Sequence, residues 1–128
     1  MKDSHLKALM ESIFADKEIR EKFLIAPAAK AMHHSYLGGL AEHVFSICAL
    51  ADKVSSHYGA SVNRDLLVSG AMLHDIGKVY ELTYERAFDY SDEGRLIGHI
   101  TIGVELIDRK IASLADFPRE LGVLLKHM

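Results

Sequence analysis

The 128-residue chain has no tryptophan, one cysteine and two prolines, and it lacks any apolar run of membrane-spanning length. A single cysteine, Cys48, excludes an internal disulfide. Without a leader segment or a long apolar run, we expect a reduced, cytoplasmic protein that has no membrane partner. The length predicts one domain, because domains typically span about 100 to 200 residues.

Neither sign of charge is in large excess. Fifteen Lys and Arg residues and 18 Asp and Glu residues give a formal net charge of −3. No overall cationic field is therefore available to hold a polyanionic nucleic acid, and any such contact has to be local. Hydrophobic residues make up 49 % of the chain and charged residues 26 %, which excludes a disordered chain or a rod. The sequence does contain eight histidines, the usual metal ligand and physiological proton carrier.

Hydrophobic periodicity predicts a chain made mostly of helices. The predicted helices comprise two within residues 1–26, one from Gly39 to about Tyr58, one capped by Asn63, one from about Ile97, and a last one after Pro118. Between Val79 and Arg95 the aromatic and apolar residues alternate instead. This alternation predicts a short β-hairpin, with Asp92-Glu93-Gly94 supplying turn chemistry.

Two histidines lie on the apolar faces of different predicted helices. His43 stands between Leu40 and Ile47 at helical spacing, so its ring should point toward the interior. His74 ends the next apolar face and is followed directly by Asp75. An imidazole beside a carboxylate suits a divalent transition metal, and the alternative is a hydrogen-bonded core histidine. We predict that His43 and His74 converge.

His43 and the run His74-Asp75-Ile76-Gly77-Lys78 together resemble the HD superfamily of metal-dependent phosphohydrolases, named for its His-Asp pair. Three wider segments, 33–43, 63–67 and 88–99, resemble the HD domain of YhaM-type 3′-to-5′ exoribonucleases. The resemblance implies an all-α fold, a helical bundle with a short β-hairpin insert. It also implies a single HD domain over residues 1–128, with N-terminal packing helices in 1–26 and a core in 27–128 whose C-terminal part is missing.

The resemblance implies a metal site as well. His43, His74 and Asp75 would hold a first ion, and Asp75 would bridge to a second ion held partly by His99. His127 is a further candidate ligand, with a structural role as its alternative. The implied cofactor is one or two divalent ions. Manganese is the first choice, and iron, cobalt, nickel, zinc or magnesium also suit mixed nitrogen and oxygen donors.

Asp75 and Lys78 are the catalytic candidates that follow from the same resemblance. Lys78 would contact a phosphate oxygen of the substrate, and the alternative is a charge that complements a helix C-terminus. His33, His34 and Tyr36 are candidate substrate-binding residues.

The activity implied is hydrolysis of a phosphodiester in RNA or a nucleotide. Two alternatives remain open: a small-nucleotide phosphomonoesterase and a non-catalytic HD-like interaction module. The further His pair and Asp ligand of the family have no counterpart before Met128. We therefore expect an incomplete site with little intrinsic activity, and an exposed apolar surface that a second copy of the chain would cover.

Overall fold

The computed structural model describes residues 1–29, 35–83 and 89–128, and these residues form a helical bundle with a small two-stranded sheet. The helices, in chain order, are α1 (Ser4–Ala15), α2 (Lys17–Ile25), α3 (Gly39–Tyr58), α4 (Arg64–Leu73), α5 (Lys78–Glu81), α6 (Asp92–Leu96), α7 (His99–Ala112) and α8 (Arg119–His127). A short 3₁₀ turn, Gly59–Ser61, follows α3. Strands β1 (Leu82–Thr83) and β2 (Asp89–Tyr90) pair antiparallel. The predicted all-α class with a hairpin insert is confirmed.

Side-chain caps begin four of these helices. The Asp3 carboxylate accepts from the first amides of α1, and Asp16 does the same for α2. The predicted cap at Asn63 is present, since its Oδ1 accepts from the Leu66 amide at 3.0 Å. Each cap satisfies a backbone donor that has no partner within its helix, which fixes where the helix starts.

The predicted turn at residues 92–94 is wrong. Ser91 accepts a hydrogen bond from the Gly94 amide at 2.9 Å and caps α6, so these residues form the first turn of a helix. Two acidic residues there suit the positive end of the helix dipole. The strands are also shorter than the alternation predicts, because Tyr80 lies in α5 and β1 begins only at Leu82. Tyr84 and Phe88 lie outside the described residues.

The core is built around α1, which packs against α4 and α7. The largest fully buried side chains of the core are aliphatic: Leu6, Leu9, Ile13, Leu40, Ile76 and Leu106. Truncating a buried leucine of this kind to alanine costs about 2–5 kcal/mol. The same core holds α3, α4 and α7 in place, and these three helices carry the histidines singled out above.

Gly77 lets α7 approach the turn that follows α4. A Cβ added at Gly77 would collide with the backbone of His99 and would lie 2.7 Å from the Gly103 nitrogen. Any larger residue would therefore push the start of α7 away from this turn. The close approach places His99 beside Asp75.

Several large apolar side chains remain on the surface. Phe45, Leu96 and Ile100 are each at least 70 % exposed, and Ile100 lies beside His99 at the start of α7. The expected apolar patch beside the His43 and His74 cleft stays a prediction. Within residues 1–29, 35–83 and 89–128, no helix has the length and apolar character needed to cross a membrane.

Candidate metal centre

Helices α3 and α4 bring His43 and His74 face to face. His43 lies in the second turn of α3, and His74 is the residue that ends α4. Their Nε2 atoms are 3.3 Å apart, although 31 residues separate them in the chain. The predicted convergence of the two side chains is present.

Asp75 completes a cluster of three donor atoms. Its side chain is buried, and its Oδ2 lies 3.5 Å from Nε2 of His43 and 3.3 Å from Nε2 of His74. One ligand atom from each of the three residues lies within 4.8 Å of the other two. Two imidazole nitrogens and one carboxylate oxygen form a donor set that suits a divalent transition metal.

His99 approaches the opposite oxygen of the same carboxylate. Its Nε2 lies 3.5 Å from Asp75 Oδ1, whereas His43 and His74 face Oδ2. His99 is thus outside the mutual cluster of three, but it borders that cluster through Asp75. The two oxygens of the Asp75 carboxylate therefore face different histidines.

The outer ring nitrogens of two histidines are held by hydrogen bonds. Nδ1 of His74 donates to the Ala71 carbonyl at 2.9 Å, and Nδ1 of His99 donates to Glu81 Oε1 at 2.9 Å. In the neutral rings, the lone pair is then on Nε2, which faces Asp75 in both cases. Metal-ligating histidines usually donate their other ring N–H to a carbonyl or a carboxylate in this way.

The electrostatics of the cluster favour a positive charge. Burial opposes ionisation of Asp75, but hydrogen bonds from His74 and Lys78 outweigh it and lower the pKa of Asp75 to about 2. The hydrogen bond with Asp75 raises the pKa of His74 against the opposing effect of burial. A proton on His74 occupies the region where the donor atoms converge. A divalent cation fits the same donors, so the residues present suit a metal.

Lys78 is engaged with Asp75 rather than directed toward solvent. Its Nζ donates to Asp75 Oδ2 at 2.8 Å and to the Ala28 carbonyl at 2.7 Å, and its side chain is largely buried. These contacts orient the carboxylate. The assignment of Lys78 to substrate binding or catalysis stays a prediction.

The other candidate site residues that the structure describes are not part of the cluster formed by His43, His74 and Asp75. The Tyr36 hydroxyl donates to Glu42 Oε2 at 2.5 Å, on the first turn of α3, and this hydrogen bond raises the pKa of Tyr36. His127 lies exposed at the end of α8 and is not part of the three-residue cluster. His33 and His34 lie outside the described residues. The substrate and ligand roles assigned to these four residues stay predictions.

Glu81 is a neighbour of the site that the sequence reasoning missed. Its buried carboxylate contacts both the ring and the backbone amide of His99. The available signal was an acidic residue between Tyr80 and Leu82, in an otherwise apolar segment seven residues after His74. That signal indicates a buried carboxylate, but it does not identify the partner.

An open groove of about 250 Å³ borders the cluster. Its lining combines the polar side chains of His74, Asp75 and His99 with aliphatic side chains such as Val104 and Leu125. A ligand held at the donors would therefore also contact apolar side chains.

A family model for the HD domain matches residues 40–123, so the chain belongs to the HD domain family. The matched range includes His43, His74, Asp75, Lys78 and His99. The histidine and the aspartate that give the family its name are thus two of the three residues in the cluster.

Curated relatives of the chain include bacterial proteins named 3′-5′ exoribonuclease YhaM. The protein from Listeria monocytogenes is 42 % identical over all 128 residues, which is 40 % of that protein's length. The Geobacillus protein is 43 % identical over 112 residues, 88 % of this chain and 34 % of the relative, and the Bacillus velezensis protein is 40 % identical over 112 residues. The chain spans about two fifths of the length of these relatives or less. No solved structure matches the chain at a significant level.

Proposed function

We propose that this chain is a metal-dependent phosphohydrolase domain that hydrolyses phosphodiesters in RNA or nucleotides. Membership of the HD domain family and likeness to proteins named 3′-5′ exoribonuclease support a hydrolase. The observation that carries the proposal is the convergence of His43 Nε2, His74 Nε2 and Asp75 Oδ2.

In this proposal, His43, His74 and Asp75 hold a first ion, and His99 with the other oxygen of Asp75 contributes to a second. A divalent ion supplies a water of lowered pKa and neutralises charge that develops on the phosphoryl oxygens. We propose Mn²⁺, because it accepts mixed imidazole and carboxylate ligands. Iron, cobalt, nickel, zinc and magnesium are the competing ions in the test.

Lys78 is the proposed contact for a phosphate oxygen. An ammonium group has three donors, and two of those on Lys78 are used by Asp75 and the Ala28 carbonyl. The third remains for a substrate oxygen close to the Asp75 carboxylate. The aliphatic side chains of the adjoining groove would then contact the nucleoside part of the substrate.

We further propose that residues 1–128 form one HD domain, with helices in 1–26 packing on a core in 27–128. The contacts of α1 with α4 and α7 support a single domain, because they attach the first helix to the helices that carry the cluster. A cytoplasmic location and self-association through the exposed apolar surface stay predictions. Light scattering over a concentration series tests self-association.

Turnover with added metal tests the proposed activity. The protein is purified without chelator, its metal content is measured, and Mn²⁺ or a competing ion is added. A bis-aryl phosphate, a mono-aryl phosphate and a 3′-labelled RNA oligonucleotide are assayed in parallel. We expect weak metal-dependent cleavage of the diester or the RNA, in line with the little intrinsic activity expected of this chain, and we expect chelator and Asp75→Asn to abolish it. His57→Ala, an exposed histidine near the end of α3, is the control and should retain activity.

The other functions predict different results. Cleavage of the monoester alone would identify a phosphomonoesterase. Metal binding without turnover of any substrate would indicate an interaction module or an incomplete catalytic site. This result, like cleavage of the monoester alone, would overturn the proposal for this chain. Turnover that is unchanged in Asp75→Asn would place the activity elsewhere in the protein.

A further inference from the structure

One carboxylate oxygen of Glu81 accepts hydrogen bonds from two donors of His99. Its Oε1 accepts from the backbone amide of His99 at 3.1 Å and from Nδ1 of the His99 ring at 2.9 Å. The Glu81 side chain is 9 % exposed, so these hydrogen bonds are largely shielded from water. Hydrogen bonds to a charged group are stronger than neutral ones, and burial strengthens them further.

The position of Glu81 is itself fixed from both sides. Its amide donates to the carbonyl of Gly77, the residue before α5, at 3.0 Å, and its carbonyl accepts from the Ser91 amide at 2.8 Å. The Ser91 hydroxyl adds a contact to the same carbonyl at 3.2 Å. A Cβ added at Gly94 would collide with the Glu81 backbone, so α6 packs directly against it. Gly77, Ser91 and Gly94 of α6 therefore hold the backbone of Glu81 in place.

The double contact determines the state of the His99 ring. An oxygen that accepts from both the amide and Nδ1 defines the rotation of the side chain relative to the backbone of α7. It also requires the proton on Nδ1, which leaves the lone pair of the neutral ring on Nε2. That atom lies 3.5 Å from Asp75 Oδ1. Glu81 thus directs the Nε2 lone pair of His99 toward Asp75 Oδ1.

A purely structural role for Glu81 would be to cap α7. The residue before this helix is Gly98, which has no side chain to cap it, and Glu81 Oε1 satisfies the His99 amide from another part of the chain. A cap requires only the contact to the backbone amide. The contact to Nδ1 is additional, and it separates the two roles experimentally.

We propose that Glu81 is a positioning residue that holds His99 as the Nδ1–H tautomer with Nε2 available to a divalent ion. This inference rests on the proposed function only for what the bound ion does. The tautomer of the His99 ring does not depend on a bound metal. Nothing in the spacing of the His-Asp motif identifies Glu81, since 18 residues separate it from His99.

Nitrogen NMR of the metal-free protein tests the proposal directly. Long-range ¹H–¹⁵N spectra of uniformly labelled protein report which ring nitrogen of His99 carries the proton, and His99→Gln assigns the signal. We expect the Nδ1–H tautomer in the wild type and in Glu81→Gln, whose amide oxygen still accepts a hydrogen bond. In Glu81→Ala we expect a mixture of tautomers. The Nε2–H tautomer in the wild type, or an unchanged signal in Glu81→Ala, would overturn the proposal.

Calorimetric titration with Mn²⁺ alone provides the second readout. Loss of a partner that orients a metal ligand typically weakens binding about 10- to 100-fold, and we expect that loss in Glu81→Ala with rescue in Glu81→Gln. Glu105→Ala, an exposed glutamate on α7, is the matched control. In a His99→Ala background, the effect of Glu81→Ala should vanish; an effect that persists would contradict positioning through His99.

These readouts keep the two proposals distinguishable. A wild-type protein that binds no divalent ion refutes the proposed function, while the NMR result still decides the role of Glu81. If Glu81→Ala does not fold, the wild-type tautomer and the Glu81→Gln spectrum decide it. A destabilised Glu81→Ala that keeps both the tautomer and the Mn²⁺ affinity would show that Glu81 is only a cap.

Discussion

The Nε2 atoms of His43 and His74 lie 3.3 Å apart, and both lie within 3.5 Å of Asp75 Oδ2. Because Nδ1 of His74 donates to the Ala71 carbonyl, a neutral His74 directs a lone pair at that carboxylate oxygen. Lone pairs that face one another repel unless a positive charge lies between them. The arrangement therefore favours a positive charge between these atoms.

Removing one imidazole should weaken metal binding severely. We expect His43→Ala to reduce Mn²⁺ affinity more than about 100-fold, above the 10- to 100-fold loss typical of a residue that only orients a ligand. Calorimetric titration measures the affinity, and His57→Ala serves as the control. Equal affinity in the two variants would remove His43 from the proposed ligand set.

Gly77→Ala should destabilise the fold and separate α7 from the His-Asp turn. The added Cβ would overlap backbone atoms of His99 and Gly103, which have little freedom to move. Overpacking of this kind costs about 1–3 kcal/mol and sometimes more. The matched control is Gly122→Ala, whose added Cβ would meet Ile111 Cδ1 at 3.4 Å. Urea denaturation of the two variants checks the difference; equal free energies of unfolding would argue against close packing at Gly77.

Lys78→Met should lower the free energy of unfolding, because it leaves the buried Asp75 carboxylate with fewer donors. The expected loss is about 1–3 kcal/mol, the usual cost of removing one partner of a buried polar group. Lys7→Met is the control, since Lys7 and Glu11 form an exposed pair worth at most about 0.5 kcal/mol. A loss no larger than that of Lys7→Met would mean that Lys78 does not hold Asp75 in solution.

Asp16 should make stability depend on pH. Its carboxylate accepts from Lys110 Nζ at 2.8 Å and caps α2, and the Lys110 hydrogen bond, followed by that from the Ile19 amide, lowers the pKa of Asp16. A lowered pKa means that the stabilisation is complete above the unfolded value of about 4 and is lost as the pH falls below it.

The matching variant is Asp16→Asn, which keeps a good cap but removes the charge. We expect the wild type to exceed it by about 0.2–1 kcal/mol at pH 7, as for exposed ion pairs, and by less at pH 3. Lys110→Met should show the same loss. A difference that is constant between pH 7 and pH 3 would exclude the ion pair as its cause.

The sequence alone determined the local features of this protein. Apolar residues at helical spacing predicted the range of α3, and Asn63 predicted the start of α4, because periodicity and capping depend on neighbours along the chain. The same periodicity predicted inward faces for both His43 and His74; His43 is partly buried, whereas His74 is exposed, because it lies at the end of α4. The His-Asp run then indicated the family to which the chain belongs.

Only the tertiary structure decided how these local features meet. Lys78 contacts the carbonyl of Ala28, 50 residues away, and Glu81 contacts His99 across 18 residues. Such contacts depend on where two helices cross and how closely they approach, which is set by the packing of the whole core around small residues such as Gly77. The spacing of residues along one helix specifies a face, but it does not specify which donor the opposite element presents to that face.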